Sequence, residues 1–116
     1  MTIVTPEAST LAVQAATLRA AADLLDRLPS NLPAASISAW EHDPAAIRIG
    51  LPHAKEPVAL ARLLKWVDAL GIPTYDQHLG STRRFSGQTV IDGRKVHVTA
   101  SYYEAGSTAA VRTVTL

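Results

Sequence analysis

Cysteine is absent from all 116 residues, which excludes disulfides, thiolate metal sites and a cysteine nucleophile. The absence suits a reducing compartment, and a cytoplasmic location is expected. Compact catalytic motifs are missing as well. There is no glycine-rich phosphate loop, no G-x-S-x-G elbow, no H-E-x-x-H and no dinucleotide fingerprint. The opening residues MTIVTPEAST carry no basic n-region, and Pro6, Glu7, Gln14 and Arg19 interrupt the apolar stretch that follows. Neither a secretory signal nor a membrane span is expected there. A strong charge is lacking too: the net is +1, with eight acids against six bases in residues 1–76 and two against five in residues 77–116. That mild basic bias falls far short of a dedicated nucleic-acid binder.

What is present centres on one stretch, FSGQTVIDGRKVHVTASY, from Phe85 to Tyr102. Asp92-Gly93 is the strongest short hairpin signal, because a type I′ turn needs positive φ at both central residues. A two-residue turn pairs Ile91 with Arg94, Thr89 with Val96, Gly87 with Val98 and Phe85 with Ala100 on one face, which can be buried. Val90 with Lys95, Gln88 with His97, Ser86 with Thr99 and Arg84 with Ser101 then share the wet face. A wider loop beginning after Gly87 would end the first strand early and still leave Val96 and Val98 inward.

The chain length fits a single domain, residues 1–116, with a core that needs no staples. Thr5-Pro6-Glu7 reads as a helix start, with Thr5 as the cap, and the helix should reach about Leu28 before Pro29. Val4, Leu11, Leu18 and Leu25 recur at heptad spacing, with Ala8, Ala15 and Ala22 between them. Large and small side chains alternating along one stripe let a second helix approach closely, from the same chain or from another copy. The opposite face, around Val13, Ala16, Ala20, Asp23 and Arg27, fits either plain helix stability or self-association.

After the turn 29–33, Ala35 to Glu41 alternates as a strand with Ile37 and Ala39 inward, and Trp40 shares the face of Ser36 and Ser38. Through His42-Asp43-Pro44 the chain enters a second strand, Ala46 to Leu51, with Ile47, Ile49 and Leu51 inward and Arg48 outward. A helix should follow Glu56-Pro57 and stop at Gly71. Its stripe Leu60, Leu63, Leu64, Val67 and Leu70 contributes roughly 1.5–3 kcal/mol per buried side chain, while Trp66 sits at the flank. Thr74 to Gln77 reads as a short strand, His78 to Ser81 as a turn, Ala105 to Thr108 as a loop, and Ala110 to Leu116 as a last strand-like run.

The order α-β-β-α-β-β-β, with a sixth strand at the end, predicts an α+β two-layer sandwich: a mostly antiparallel sheet with two helices on one face. The bare face should carry Trp40, Arg48, Arg84, Gln88, His97, Thr99 and Tyr103. Trp40, Arg48, Gln88 and His97 are therefore the candidates for a partner surface. Arg83, Arg84, Arg94 and Lys95 are the candidates for nucleic acid, since a two-stranded ribbon can enter a groove and arginine reads phosphate or guanine. The same cations would also keep an exposed hairpin soluble. Glu41-His42-Asp43 with His53 is the nearest approach to a metal or enzyme constellation, but neighbouring strand residues point to opposite sides. His78 near Asp76, and His97, are lone histidines with no convergent partner, and Ser81, Ser86 and Ser101 lack an identifiable base. No catalytic residue, metal site or cofactor is assigned.

Three motifs together resemble a group of small proteins from Streptomyces and related actinobacteria, often encoded near phage or integrative-element genes. These are ADLLDRLP closing the first helix, ARLLKWVDALG in the second, and F-x-G…G-x-x-V-x-V at Phe85, Gly87, Gly93, Val96 and Val98. The group has no established activity, so the resemblance implies no functional residue. The expectation is a non-catalytic accessory protein working through protein contacts as a homodimer. The alternatives are a nucleic-acid module on the 83–95 hairpin, and a small enzyme or metal protein around His42 and His53.

Overall fold

Asp92 and Gly93 take φ of 52° and 78°, and this left-handed pair closes the two-residue turn. The computed structural model describes residues 6–79, 83–103 and 111–116. In chain order the elements are α1 (Pro6–Asp26), β1 (Ser36–Trp40), β2 (Asp43–Lys55), α2 (Glu56–Leu70), β3 (Thr74–Leu79), β4 (Arg83–Ile91), β5 (Arg94–Tyr103) and β6 (Val111–Thr115). Strand β3 continues through His78 and Leu79, the first half of the stretch read as a turn, because both pair with β4; expectations placed on Val4, the Thr5 cap, Gly80 and Ser81, and the Ala105–Thr108 loop lie outside the described residues.

The six strands form one sheet in the order β1-β2-β5-β4-β3-β6, antiparallel except where β2 meets β5. This is the α+β sandwich expected, with the last run as a true strand. The β4–β5 register is the two-residue one throughout, from Ile91↔Arg94 to Arg84↔Ser101. Strand β2 is longer than the sequence suggests and runs directly into α2. It survives Pro52, which has no N–H to donate, by a bulge: Leu51 faces Ala100 and Ala54 faces Tyr102, so three steps on β2 match two on β5. The extra residue keeps Leu51 and Ala54 both buried while Pro52 and His53 turn to water.

Both helices lie on the inner face. Ile47, Ile49, Val96, Val98 and Phe85 from the sheet meet Leu63, Val67 and Leu70 from α2. Helix α2 ends in a Schellman cap: Gly71, at φ 71°, donates to the Asp68 carbonyl at 3.1 Å, and Ile72 to that of Val67 at 2.8 Å. Trp66 is not at the flank. It is 3% exposed, and its indole N–H donates to the Pro33 carbonyl at 2.9 Å, because the 29–35 segment folds back over α2.

Helix α1 packs by a face that neither sequence reading selected, through Thr17, Ala21 and Leu24. The heptad leucines are left out: Leu11, Leu18 and Leu25 are 64%, 47% and 38% exposed. No helix among the described residues is long and apolar enough to cross a membrane.

Candidate functional site

Because side chains alternate along a strand, fixing the inner face fixes the outer one. The pairings then align it into rows that run across the strands. One row is Ser38–Arg48–His97–Gln88 over β1, β2, β5 and β4. The next is Ser36–Gly50–Thr99–Ser86–Asp76–Thr113, spanning all six strands. A third carries Ser101, Arg84 and His78. Small side chains floor the middle row and larger ones stand on both sides, so the bare face is a trough crossing the strands. With same-face residues about 6.7 Å apart along a strand and strands about 4.8 Å apart, the walls stand about 13 Å apart and the floor runs about 24 Å. The part of the trough between Trp40, Arg48 and the β3 residues Asp76 and His78 has a volume of about 630 Å³.

Trp40 closes one side. The register shift after Ala39 swings it over the sheet, where its ring centre lies 4.7 Å from that of His97 and 5.7 Å from that of His42. The four partner-surface candidates, Trp40, Arg48, Gln88 and His97, thus come together. Burial under the indole lowers the His97 pKa below its ordinary 6.5, and Lys95 and Arg48 push the same way against Asp43. His97 therefore stays neutral in the folded chain near neutrality.

The basic candidates divide. Arg84 lines the trough and Lys95 stands exposed on the same face, about 20 Å away by six residues of strand. Arg83 falls by alternation on the helix side. Arg94 belongs to the architecture: its guanidinium donates to Thr17 Oγ1 at 2.9 Å and to the Ala45 carbonyl at 2.8 Å, pinning hairpin to α1 and β2. Of the four, Arg84 and Lys95 share the open face.

His42 and His53 sit at opposite ends of β2, so the hairpin does not bring them together. His53 stacks on Tyr103 with ring centres 5.0 Å apart, and His42 has Glu41 at 3.5 Å. No group of three metal-ligating side chains forms among the described residues.

One contact escaped the sequence reading. His78 Nε2 lies 3.1 Å from Ser86 Oγ, across β3 and β4, so Ser86 has a base beside it. Only the strand register could have revealed it. Asp76 does not complete a triad, since its carboxylate accepts from Thr113 Oγ1 at 2.6 Å. Acyl transfer also needs free N–H donors for the developing oxyanion, and in the middle of a sheet the ladder occupies them.

The fold and this face define a small α+β protein with a polar, tryptophan-sided trough on a sheet face that no helix among the described residues covers. No protein-family model, curated protein or solved structure matches the chain.

The state of His97 has a measurable consequence. A histidine whose pKa is depressed on folding favours the native state above its unfolded pKa, and that contribution is lost as pH falls below about 6.5. Thermal melts between pH 7.5 and 5.5 should show His97→Gln losing less stability on acidification than the parent chain; equal slopes would overturn this.

Proposed function

We propose that this chain is a non-catalytic accessory protein that binds another protein on the open face of its sheet. The observation that carries this reading is the convergence of Trp40, Arg48, Gln88 and His97 on one uncovered concavity. A half-buried tryptophan ringed by polar side chains has the character of an interface anchor. An enzyme is less well supported, because the His78–Ser86 pair has neither an orienting acid nor an oxyanion site. Nucleic acid is less well supported, because Arg94 is committed to Thr17 and Ala45.

A homodimer is part of the proposal. Laid antiparallel on a second copy, α1 matches Leu11 to Ala22 and Leu18 to Ala15, each large side chain meeting a small one. A cytoplasmic setting rests on the absence of cysteine, and a phage- or mobile-element setting rests on the actinobacterial resemblance.

A photo-crosslinking residue placed at Gln88, and separately at Leu18, tests both surfaces in native cells. The Gln88 probe should give a discrete adduct with a different protein, lost on Trp40→Ala; the Leu18 probe should give a doubled chain. Absence of protein adducts at Gln88 would remove the partner surface, and a chain that never doubles would remove the dimer.

A further inference from the structure

The two trough walls each present a guanidinium without an ion-pair partner among the described residues: Arg48 on β2 and Arg84 on β4. Two acids line the same face, Asp76 on the floor, accepting from Thr113, and Glu41 on the rim beside His42, and neither is paired with Arg48 or Arg84. At His97 burial is the main influence against protonation, Lys95 and Arg48 add to it, and Asp43 opposes them. The trough therefore favours negative charge at two separated points.

The floor narrows the choice of ligand. Backbone groups beneath it are engaged in the sheet ladder, so a ligand crossing the strands must bond to side chains. Ser36, Thr99 and Ser86 can both donate and accept, Thr113 gives its proton to Asp76, and Asp76 only accepts. A polypeptide supplies both kinds of group, with carbonyls for the hydroxyls and N–H donors for Asp76. A single-stranded nucleic acid needs successive aromatic platforms for its bases, and here the Trp40 ring is already set against His97 and His42, while Tyr75 is buried against Phe85.

We infer that the trough receives an extended acidic segment of a partner protein, its carboxylates held by Arg48 and Arg84. The inference rests on the partner-surface reading above and names the chemistry of the partner. Along the trough the two arginines are two strands apart, about 10 Å, and they stand on opposite walls, so an extended chain on the floor meets them with acids about three residues apart, a spacing that alternation turns to opposite sides.

The test is selection of short random peptides, displayed on phage, against the immobilised full chain at low salt. Enriched peptides should carry two acidic positions about three residues apart. They should bind roughly tenfold tighter than their glutamine counterparts. Arg48→Gln and Arg84→Gln, each shown folded by circular dichroism, should abolish that preference. Lys65→Gln on the far side of α2 should not. Enrichment without acids, or arginine variants that keep the preference, would overturn the inference. So would binding of oligothymidine in place of peptide. If Gln88 adducts form in cells while acidic peptides fail, the partner surface stands and the acidic chemistry falls; if both fail, the surface reading falls with it.

Discussion

Trp66→Ala should destabilise the chain by about 3–5 kcal/mol, a large share of the 5–15 kcal/mol typical of a domain. Two losses combine. The indole is 3% exposed among α2, the sheet and the 29–35 segment, and truncation leaves a cavity where the surroundings can only partly collapse. The Pro33 carbonyl also loses the N–H that reaches it at 2.9 Å. Trp66→Phe separates the terms, since it keeps most of the ring volume and removes the donor, and should cost about 1–2 kcal/mol. Urea unfolding followed by far-ultraviolet circular dichroism measures both. A cost near 1 kcal/mol for the alanine variant would place the indole at the helix flank, where helical periodicity alone puts it.

That difference between periodicity and packing marks the boundary of what the sequence discloses. The β4–β5 register was readable because Asp92-Gly93 admits one tight turn and period-two alternation propagates it along both strands. The polar face followed from the same alternation, which is why Trp40, Arg48, Gln88 and His97 could be grouped before their distances were known. Features set by contacts between distant segments were not readable. The parallel β2–β5 pair joins strands some fifty residues apart, and no local signal announces it. Arg94 alternates with apolar neighbours and looks like a free cation until α1 and the Ala45 carbonyl are brought to it. Helix α1 is apolar nearly all round, so its pattern could not say that Thr17, Ala21 and Leu24 would meet the sheet while the leucine stripe stayed outside.

Phe85→Ala should be comparably costly, about 3–5 kcal/mol, and its effect should spread further. Phe85 is 1% exposed and sits between two other rings, stacked on Tyr102 with centres 4.7 Å apart and edge-on to Tyr75 at 5.9 Å. Such ring pairs are worth about 0.5–1.5 kcal/mol beyond the area they bury. The Tyr102 hydroxyl accepts from Gln77 Nε2 at 3.1 Å, and the same amide donates to Glu56 Oε1 at 2.9 Å at the start of α2. Removing the ring therefore loosens the support of a buried polar chain tying β5, β3 and α2 together, and half-satisfied networks are costly. Phe85→Leu fills most of the space and should cost about 1–1.5 kcal/mol. In a double-mutant cycle with Gln77→Leu, Phe85→Ala should show coupling of about 0.5–3 kcal/mol, as expected of residues sharing one network; strict additivity would show that the rings and the polar chain act independently. Arg84 and Ser86 flank Phe85 and point the opposite way into the trough, so the position of the acidic-segment site rests on this ring. Below its lowered melting point the Phe85→Leu variant should still bind acidic peptide, because the wall arginines and the hydroxyl floor are untouched.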